Sequence, residues 1–367
     1  MKLLIIGVGN VQVMKLATYV STWPIYNFRY RKLLLELAQR LHLFILTSSP
    51  VSGGKINSIK SIFPFKRPKR LWYYLTPFFS QLALNSINAD VVWLFDVAGF
   101  ISPSLTRAPV ILDYDDPKIA LPAMELKRIP KISLVNELRL LRNRKVRKVV
   151  VPTEMIKRKF IALGLDEERI VVIPTGVDTS LFHPTPLPKE PVVLYYGTFQ
   201  LHRTQLLLEV IDVLVRRRQD VRFLLAGDVP PTVRERLLRV AGNRVEMLGF
   251  VEHDLLPQYI QKARVCILPQ DRSLGGRLSI KLLEYMASGR PVVATNVDES
   301  FPLKESGAGL ITEIEPESFA DAVIRLLEDD ALANHLAEKG VEYARRYDWN
   351  KMVEDYIKLF QQVCNES

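Results

Sequence analysis

Short apolar runs recur along this chain at intervals that leave room for one helix between neighbours, and this alternation limits the fold more than any other feature. In the first half the runs are LLIIG (3–7), LFILT (43–47), DVVWLF (90–95), PVILD (109–113) and KVVVP (148–152). Each is short and β-branched or aromatic, and Leu33 to Leu43 has helix-like apolar spacing. Near-continuous apolar strands are buried on both faces, and parallel strands need a crossover segment between them. The pattern resumes at VVLYYG (192–197), VRFLLAG (221–227), RVEMLG (244–249), RVCILP (264–269) and PVVAT (291–295). Two such sets in series predict an α/β chain of two Rossmann-like, doubly wound parallel-sheet domains.

Between the sets, Pro174 to Pro191 reads PTGVDTSLFHPTPLPKEP, with five prolines and no helical period, which is linker composition. The expected domains are therefore 1–175 and 176–348. The tail, Trp349 to Val363, is amphipathic and helical in pattern. With 367 residues, each half is long enough for its own core. Cys266 and Cys364 are far apart and form no Cys-x-x-Cys pair, which suits a reducing cytoplasm. The opening MKLLIIG is too short for a signal h-region and reads as a first strand. No apolar run approaches bilayer length, so a soluble or peripheral protein is expected.

Charge divides the halves. Residues 1–183 hold 27 Lys and Arg against 13 Asp and Glu, whereas the rest is slightly acidic. Lys60 to Leu84 sets Lys66, Arg67, Lys69 and Arg70 beside Trp72, Tyr73, Tyr74, Phe78 and Phe79, and Lys127 to Lys148 carries nine basic residues with Glu137 as its one acid. Such stretches suit an anionic membrane leaflet, where each basic side chain contributes about 1 kcal/mol and aromatics settle at the interface. The same composition would also suit a nucleic-acid strand, or an ordinary helix with a solvated basic face. A membrane surface is the preferred functional reading and nucleic acid ranks last, having only this composition behind it.

The segment Ala263 to Thr295 is the most informative for chemistry. It reads as a buried strand, a loop with Gly275 and Gly276, a helix that Ser279 can cap and Gly289 can close, and a strand opened by Pro291. A helix N-terminus beneath such a loop is a natural anion site, because its first N–H groups are unpaired and the dipole favours negative charge. Glu284 stands about one turn further in, placed to accept two hydroxyls of a sugar ring. Phosphates at the tip and a diol beside Glu284 together describe a nucleotide.

The order and spacing of these phrases resemble the glycosyltransferases of family four (glycosyl transferases group 1), whose two-domain fold is called GT-B. The likeness rests on VVVPTEMIKRKF, IPTGVDTSLF, YYGTF, LLAGDVP, VEMLGFVEHDLLPQYIQKARVCILP and the Glu284 helix running into SGRPVVAT. It implies two domains facing a cleft, with the last helix (349–367) returning to the first. It implies further that Glu284 holds the ribose, that the N–H groups of Ser279 and Ile280 face the donor phosphates, and that Phe250 and Val251 meet the base. Arg203 falls where a family lysine contacts the diphosphate. Thr198 replaces the usual arginine, Gly9 with Gly7 falls near the diphosphate loop of the first domain, and Lys281 reaches either phosphate or Glu284.

One departure concerns the sugar pocket: the family's second glutamate, eight positions before Glu284, is here Gly276. Asp115 occupies the place of the family histidine near the reacting carbon, where a carboxylate would steady positive charge or take a proton. Asp113-Tyr114-Asp115 matches an Asp-x-Asp metal motif, but without a second ligand set it reads as a strand end, and no metal is expected. His202, beside Arg203, reads either as a contact to diphosphate or acceptor or, more commonly for a lone loop histidine, as a solvent-facing residue, whereas His183 and His253 read as structural. The resemblance implies retaining, metal-independent transfer from a nucleotide diphosphate sugar to a hydroxyl, without a cofactor, and the basic, aromatic first domain points to a lipid-linked or cell-surface glycan acceptor at the inner face of a membrane. The alternatives are a non-catalytic donor-binding scaffold and a nucleotide-sugar epimerase of the same fold.

Overall fold

The computed structural model describes residues 14–20, 28–47, 59–61, 81–95, 102–115, 127, 131–199 and 201–366. The expected strand at 3–7, Gly7 and Gly9, and the basic-aromatic residues 66–79 lie outside the described residues. The chain divides into two units, Met1–Pro174 with Asn350–Ser367, and Thr175–Trp349.

The sheet of the first unit runs β1 (Lys15–Val20), β2 (His42–Thr47), β3 (Ile59–Ser61), β4 (Val91–Phe95), β5 (Val110–Asp113), β6 (Val146–Val151) and β7 (Ile170–Val172), in the spatial order β3-β2-β1-β4-β5-β6-β7. Every pairing is parallel. Strand β1 starts where the backbone N–H of Lys15 meets Asp90 Oδ2 at 2.7 Å. One face packs Ala17, Val92, Leu94, Leu112, Val149 and Val151 against Ile156 and Phe160 of the helix Glu154–Ala162. Thr153 caps that helix, its hydroxyl accepting from the Ile156 N–H. The last helix, Trp349–Asn365, buries Tyr356, Phe360 and Val363 at i, i+4 and i+7. From Asn350 on it belongs to this unit, and Trp93 lies 5.4 Å from the Tyr356 ring and 5.5 Å from Phe360.

The second unit carries β8 (Val192–Tyr196), β9 (Arg222–Ala226), β10 (Val245–Gly249), β11 (Val265–Leu268), β12 (Val292–Thr295) and β13 (Gly309–Thr312), ordered β10-β9-β8-β11-β12-β13 and again all parallel. Successive side chains alternate between two cores, as a pleated strand requires. Val193, Tyr195, Phe223, Leu225, Val265, Ile267 and Val293 meet the helices Leu201–Arg217 and Pro316–Glu328. Leu194, Tyr196, Leu224, Cys266, Leu268, Val292 and Ala294 meet the helix Ile280–Ala287. Each fully buried Leu, Ile, Val or Phe contributes about 1.5–3 kcal/mol, so both faces are needed to hold the sheet.

The proline-rich segment is held more firmly than linker composition implies. The Val177 N–H donates to Tyr347 O at 2.8 Å, and Trp349 N–H donates back to Val177 O at 3.2 Å. Gly176 lets the Trp349 indole approach the backbone, since a Cβ there would lie 2.7 Å from the ring. Asp178 closes the Gly-Val-Asp turn by accepting from the N–H groups of Ser180 and Leu181 at 3.2 Å.

Candidate functional site

In the second sheet the strand order reverses between β8 and β11. Open parallel sheets bind ligands beyond the carboxyl ends of their strands at such a switch point. The loops that leave β8 and β11 there are Gly197 onward and 269–279. Gly197 donates to Ala226 O at 2.9 Å and Gly227 to Gly249 O at 2.7 Å, so the ends of β8, β9 and β10 are laced together. Their φ values of 143° and 133° at Gly197 and Gly227 favour glycine. A Cβ on Gly227 would overlap the Gly197 carbonyl, and one on Gly197 would overlap Lys281 Nζ.

The helix Ile280–Ala287 begins beside Gly197. Ser279 is its N-cap residue, with φ −80° and ψ 107°, but its side chain makes no capping hydrogen bond, contrary to the expectation from sequence. Lys281 Nζ lies 5.5 Å and 5.6 Å from the Tyr195 and Tyr196 ring centroids. A cation therefore sits on two aromatic faces at the mouth of the helix. At the far end Gly289 adopts φ 67° and donates to Met286 O at 3.0 Å.

Arg290, next in sequence, has 0 % of its surface exposed. Its guanidinium donates to the carbonyls of Ile260, Gln261, Thr185, Ser288 and Gly289 at 2.8–3.1 Å, and to Thr185 Oγ1 at 2.6 Å. This cation satisfies carbonyls at the C-terminal end of the site helix, where the dipole favours positive charge. Burial lowers its pKa, partly offset by the Cys266 thiol.

Glu284 is 1 % exposed and both carboxylate oxygens are engaged. Tyr196 Oη donates to Oε2, and His253 Nε2 lies 2.6 Å from Oε1. From sequence alone Glu284 is a ligand-facing carboxylate and His253 a structural residue; the structure joins them. Burial works to lower the His253 pKa, but the hydrogen bond to Glu284 and its charge, helped by Asp254 and Asp178, raise it above the ordinary value. The His253 ring meets Phe182 edge-on at 5.2 Å. Burial, with the nearby Glu284 charge, pushes the Tyr196 phenol well up, so it stays a hydrogen-bond donor. Tyr285 Oη accepts from the Tyr196 backbone N–H at 3.1 Å, tying β8 to the site helix.

The 273–278 loop has its own anchor, one that pattern reading missed. Glu299, in the turn Asp298–Ser300 after β12, is 3 % exposed, and its Oε1 accepts from the Leu274 and Gly276 N–H groups, both at 2.9 Å. Ser273 Oγ donates to Asp298 Oδ2 at 2.6 Å. Gly275 and Gly276 take φ 103° and 80°.

The remaining sequence candidates are scattered. Phe250 follows β10 and is 69 % exposed, while Val251 beside it is half-buried. Thr198 is exposed and its carbonyl accepts from Tyr195 Oη at 3.1 Å. Arg203 has its backbone in the first turn of Leu201–Arg217, and its side chain lies outside the described residues. In the first unit, the Asp115 backbone N–H donates to Tyr30 Oη at 3.2 Å, and its side chain is half-buried. Asp113 is fully buried and accepts from Tyr356 Oη, which is a structural role. Among the described residues no group of three or more His, Cys, Asp or Glu is placed to hold a metal ion.

Residues 190–329 match the family model described as Glycosyl transferases group 1, and residues 28–181 match Glycosyltransferase Family 4. An alpha-D-kanosaminyltransferase of Streptomyces kanamyceticus is 30% identical over 185 residues, 48% of this chain and 47% of the relative. A phosphatidyl-myo-inositol mannosyltransferase of Mycolicibacterium smegmatis is 32% identical over 213 residues, 55% of this chain and 53% of the relative. The chain thus spans about half the length of the curated relatives it matches. The structure of Anabaena HepE in complex with UDP-glucose superposes with a TM-score of 0.74 at 17% identity, covering 95% of this chain and all of that one. With two parallel doubly wound sheets and family matches in both units, the chain belongs to the group 1 glycosyltransferases of GT-B fold.

Proposed function

We propose that this protein transfers a glycosyl group from a nucleotide diphosphate sugar to a hydroxyl of a lipid-linked or cell-surface glycan acceptor, with retention of configuration and without a metal. The observation that carries the reading is Glu284, a buried carboxylate one turn inside a helix whose N-terminus opens at the switch point of the sheet. A carboxylate offers about four lone-pair sites, so Tyr196 and His253 leave acceptor capacity for the two ribose hydroxyls. The N–H groups at Ser279 and Ile280, with Lys281 and Arg203, meet the diphosphate and its growing charge as the sugar leaves, which is electrostatic catalysis at a prearranged site. Phe250 offers an exposed ring to the base. Asp115, in the first unit, is the carboxylate to which this reading gives a catalytic role.

The acceptor reading draws support from charge. Arg139, Arg142, Arg144, Lys145 and Arg147 are exposed, whereas Glu137, the one acid of that run, is buried. An anionic leaflet at the inner face of the membrane suits such a surface, and the mycobacterial relative is named for a phosphatidylinositol substrate. No helix among the described residues is long and apolar enough to cross a membrane. Thr198 and Gly276 favour a second reading, a donor-binding scaffold without turnover.

Thermal-shift screening against UDP, GDP, ADP and their sugars tests the donor assignment, since a ligand at a hundred times its Kd stabilises by about 2.7 kcal/mol. Glu284→Ala is expected to abolish the shift given by the matching nucleotide, and an unchanged shift refutes the ribose assignment. Release of nucleoside diphosphate by the wild type separates the enzyme from the scaffold.

A further inference from the structure

We propose that Glu299 supplies, from the turn after β12, the carboxylate that the donor loop lacks at position 276, its Oε1 fixing the loop backbone and its Oε2 accepting a hydroxyl of the transferred sugar. The inference rests on the donor reading above and extends it to a residue outside the site helix. Three observations carry it. Glu299 Oε1 lies 2.9 Å from both the Leu274 and the Gly276 nitrogens, so one oxygen spans the turn in which Gly275 and Gly276 hold positive φ. That loop links the end of β11, at the switch point, to the N-terminus of the site helix. The third is that Oε2 is sealed from solvent and, among the described residues, has no hydrogen-bond partner.

A clamp alone does not explain the third observation. Holding two N–H groups needs a single acceptor oxygen, which an amide supplies without burying a second anionic one. Buried acceptors are satisfied in the great majority of native structures, and each exception calls for an explanation, a functional role or a bound partner among them. Oxygen Oε2 accepts and does not donate, so the group that completes it carries O–H or N–H. In a donor site beside a diphosphate-binding helix tip, a sugar hydroxyl has that chemistry. Ser273 and Asp298, which directly precede Leu274 and Glu299, are joined at 2.6 Å, and this second bond keeps Glu299 in register with the loop.

Two variants separate clamp from ligand. In Glu299→Gln the amide oxygen keeps both N–H bonds, while an NH2 donor replaces Oε2. In Glu299→Ala both functions go. The readouts are amide hydrogen exchange at Leu274 and Gly276, and calorimetric affinities for UDP and UDP-glucose, GDP and GDP-mannose, or ADP and ADP-glucose, whichever pair the wild type binds. Expected for Glu299→Gln are near wild-type exchange, nucleoside diphosphate affinity within about threefold, and nucleotide-sugar affinity lowered by about tenfold or more, the worth of one hydrogen bond to a charged group. Glu299→Ala is expected to speed exchange at both amides. Equal loss for nucleotide and nucleotide sugar in Glu299→Gln, or no loss for either, overturns the sugar contact, and unchanged exchange in Glu299→Ala overturns the clamp. A wild type that binds none of these ligands overturns the donor reading and this inference with it.

Discussion

Replacing Glu284 by Gln should reverse the sign of one pH dependence, and the structure says why. His253 has two opposed influences: burial disfavours its charged form, and Glu284 favours it through the 2.6 Å contact and its charge. In the wild type the second prevails and the pKa is raised. A histidine with a raised folded pKa contributes stability that is full below its unfolded value, near 6.5, and is lost as pH rises through the folded value. With Gln at 284 the Glu284 charge is gone and only Asp254 and Asp178 still oppose burial, the largest single influence, so the folded pKa is expected to fall below its unfolded value. Stability from His253 is then present above that value and lost as pH falls through the lower one.

Magnitude follows from the bonds. A Gln side chain fits the same space and keeps one acceptor, so the change removes chiefly the charge-assisted bond to His253, worth about 1.5–3 kcal/mol below pH 6.5. For a unit of this size each kcal/mol moves Tm by about 2–4 °C. The assay is chemical denaturation of both proteins across the neutral range, with the His253 ring titrated by NMR. The difference in unfolding free energy should be largest on the acid side and shrink as pH rises. A constant difference, or a His253 pKa that stays raised in the variant, refutes the argument that Glu284 governs this ring.

The close packing of the strand ends is tested by Gly227→Ala. Its φ of 133° and the overlap of a Cβ with the Gly197 carbonyl should together cost about 2–6 kcal/mol, whereas Gly242→Ala, at φ 55° with nothing within 4 Å, should cost about 1 kcal/mol. Equal losses in urea denaturation would show that the close approach is immaterial. Arg290→Lys keeps the charge but offers three donors from one nitrogen to a ring of carbonyls that now receives a planar fork. It should destabilise by about 3–5 kcal/mol, and a loss below about 1 kcal/mol would deny Arg290 its role as the staple of the site helix.

The sheets were legible because a buried parallel strand writes its own signal, a run of apolar residues bounded by turns, and the runs at 192–197, 221–227, 244–249, 264–269 and 291–295 became β8 to β12. Strands without that signal were not. β1, KLATYV, mixes polar and apolar residues, β3 and β7 span three residues each, and β13 is GLIT. Their places come from neighbours, such as the Asp90 side chain that meets Lys15, and no local window contains both partners.

The site divides along the same line. A helix with Glu284 one turn inside it and a glycine behind is a local pattern, and it was found. What surrounds Glu284 is assembled from far along the chain: Tyr196 lies 88 residues away and His253 31. Each alone is an ordinary residue, a strand tyrosine and a loop histidine, and only burial beside a carboxylate makes it part of the site. Faint cues existed for the rest. Arg290 directly follows the glycine that ends the helix, the position where a cation complements the dipole. Glu299 is an acid in a short turn between the apolar Val297, which is buried, and Phe301, which packs against the core. An acid so placed must find donors, and Glu299 finds them in the backbone of a loop that has no side chain at position 276. Absence of a side chain in one element and an unexplained carboxylate in another are therefore a single signal, readable only when the two are compared.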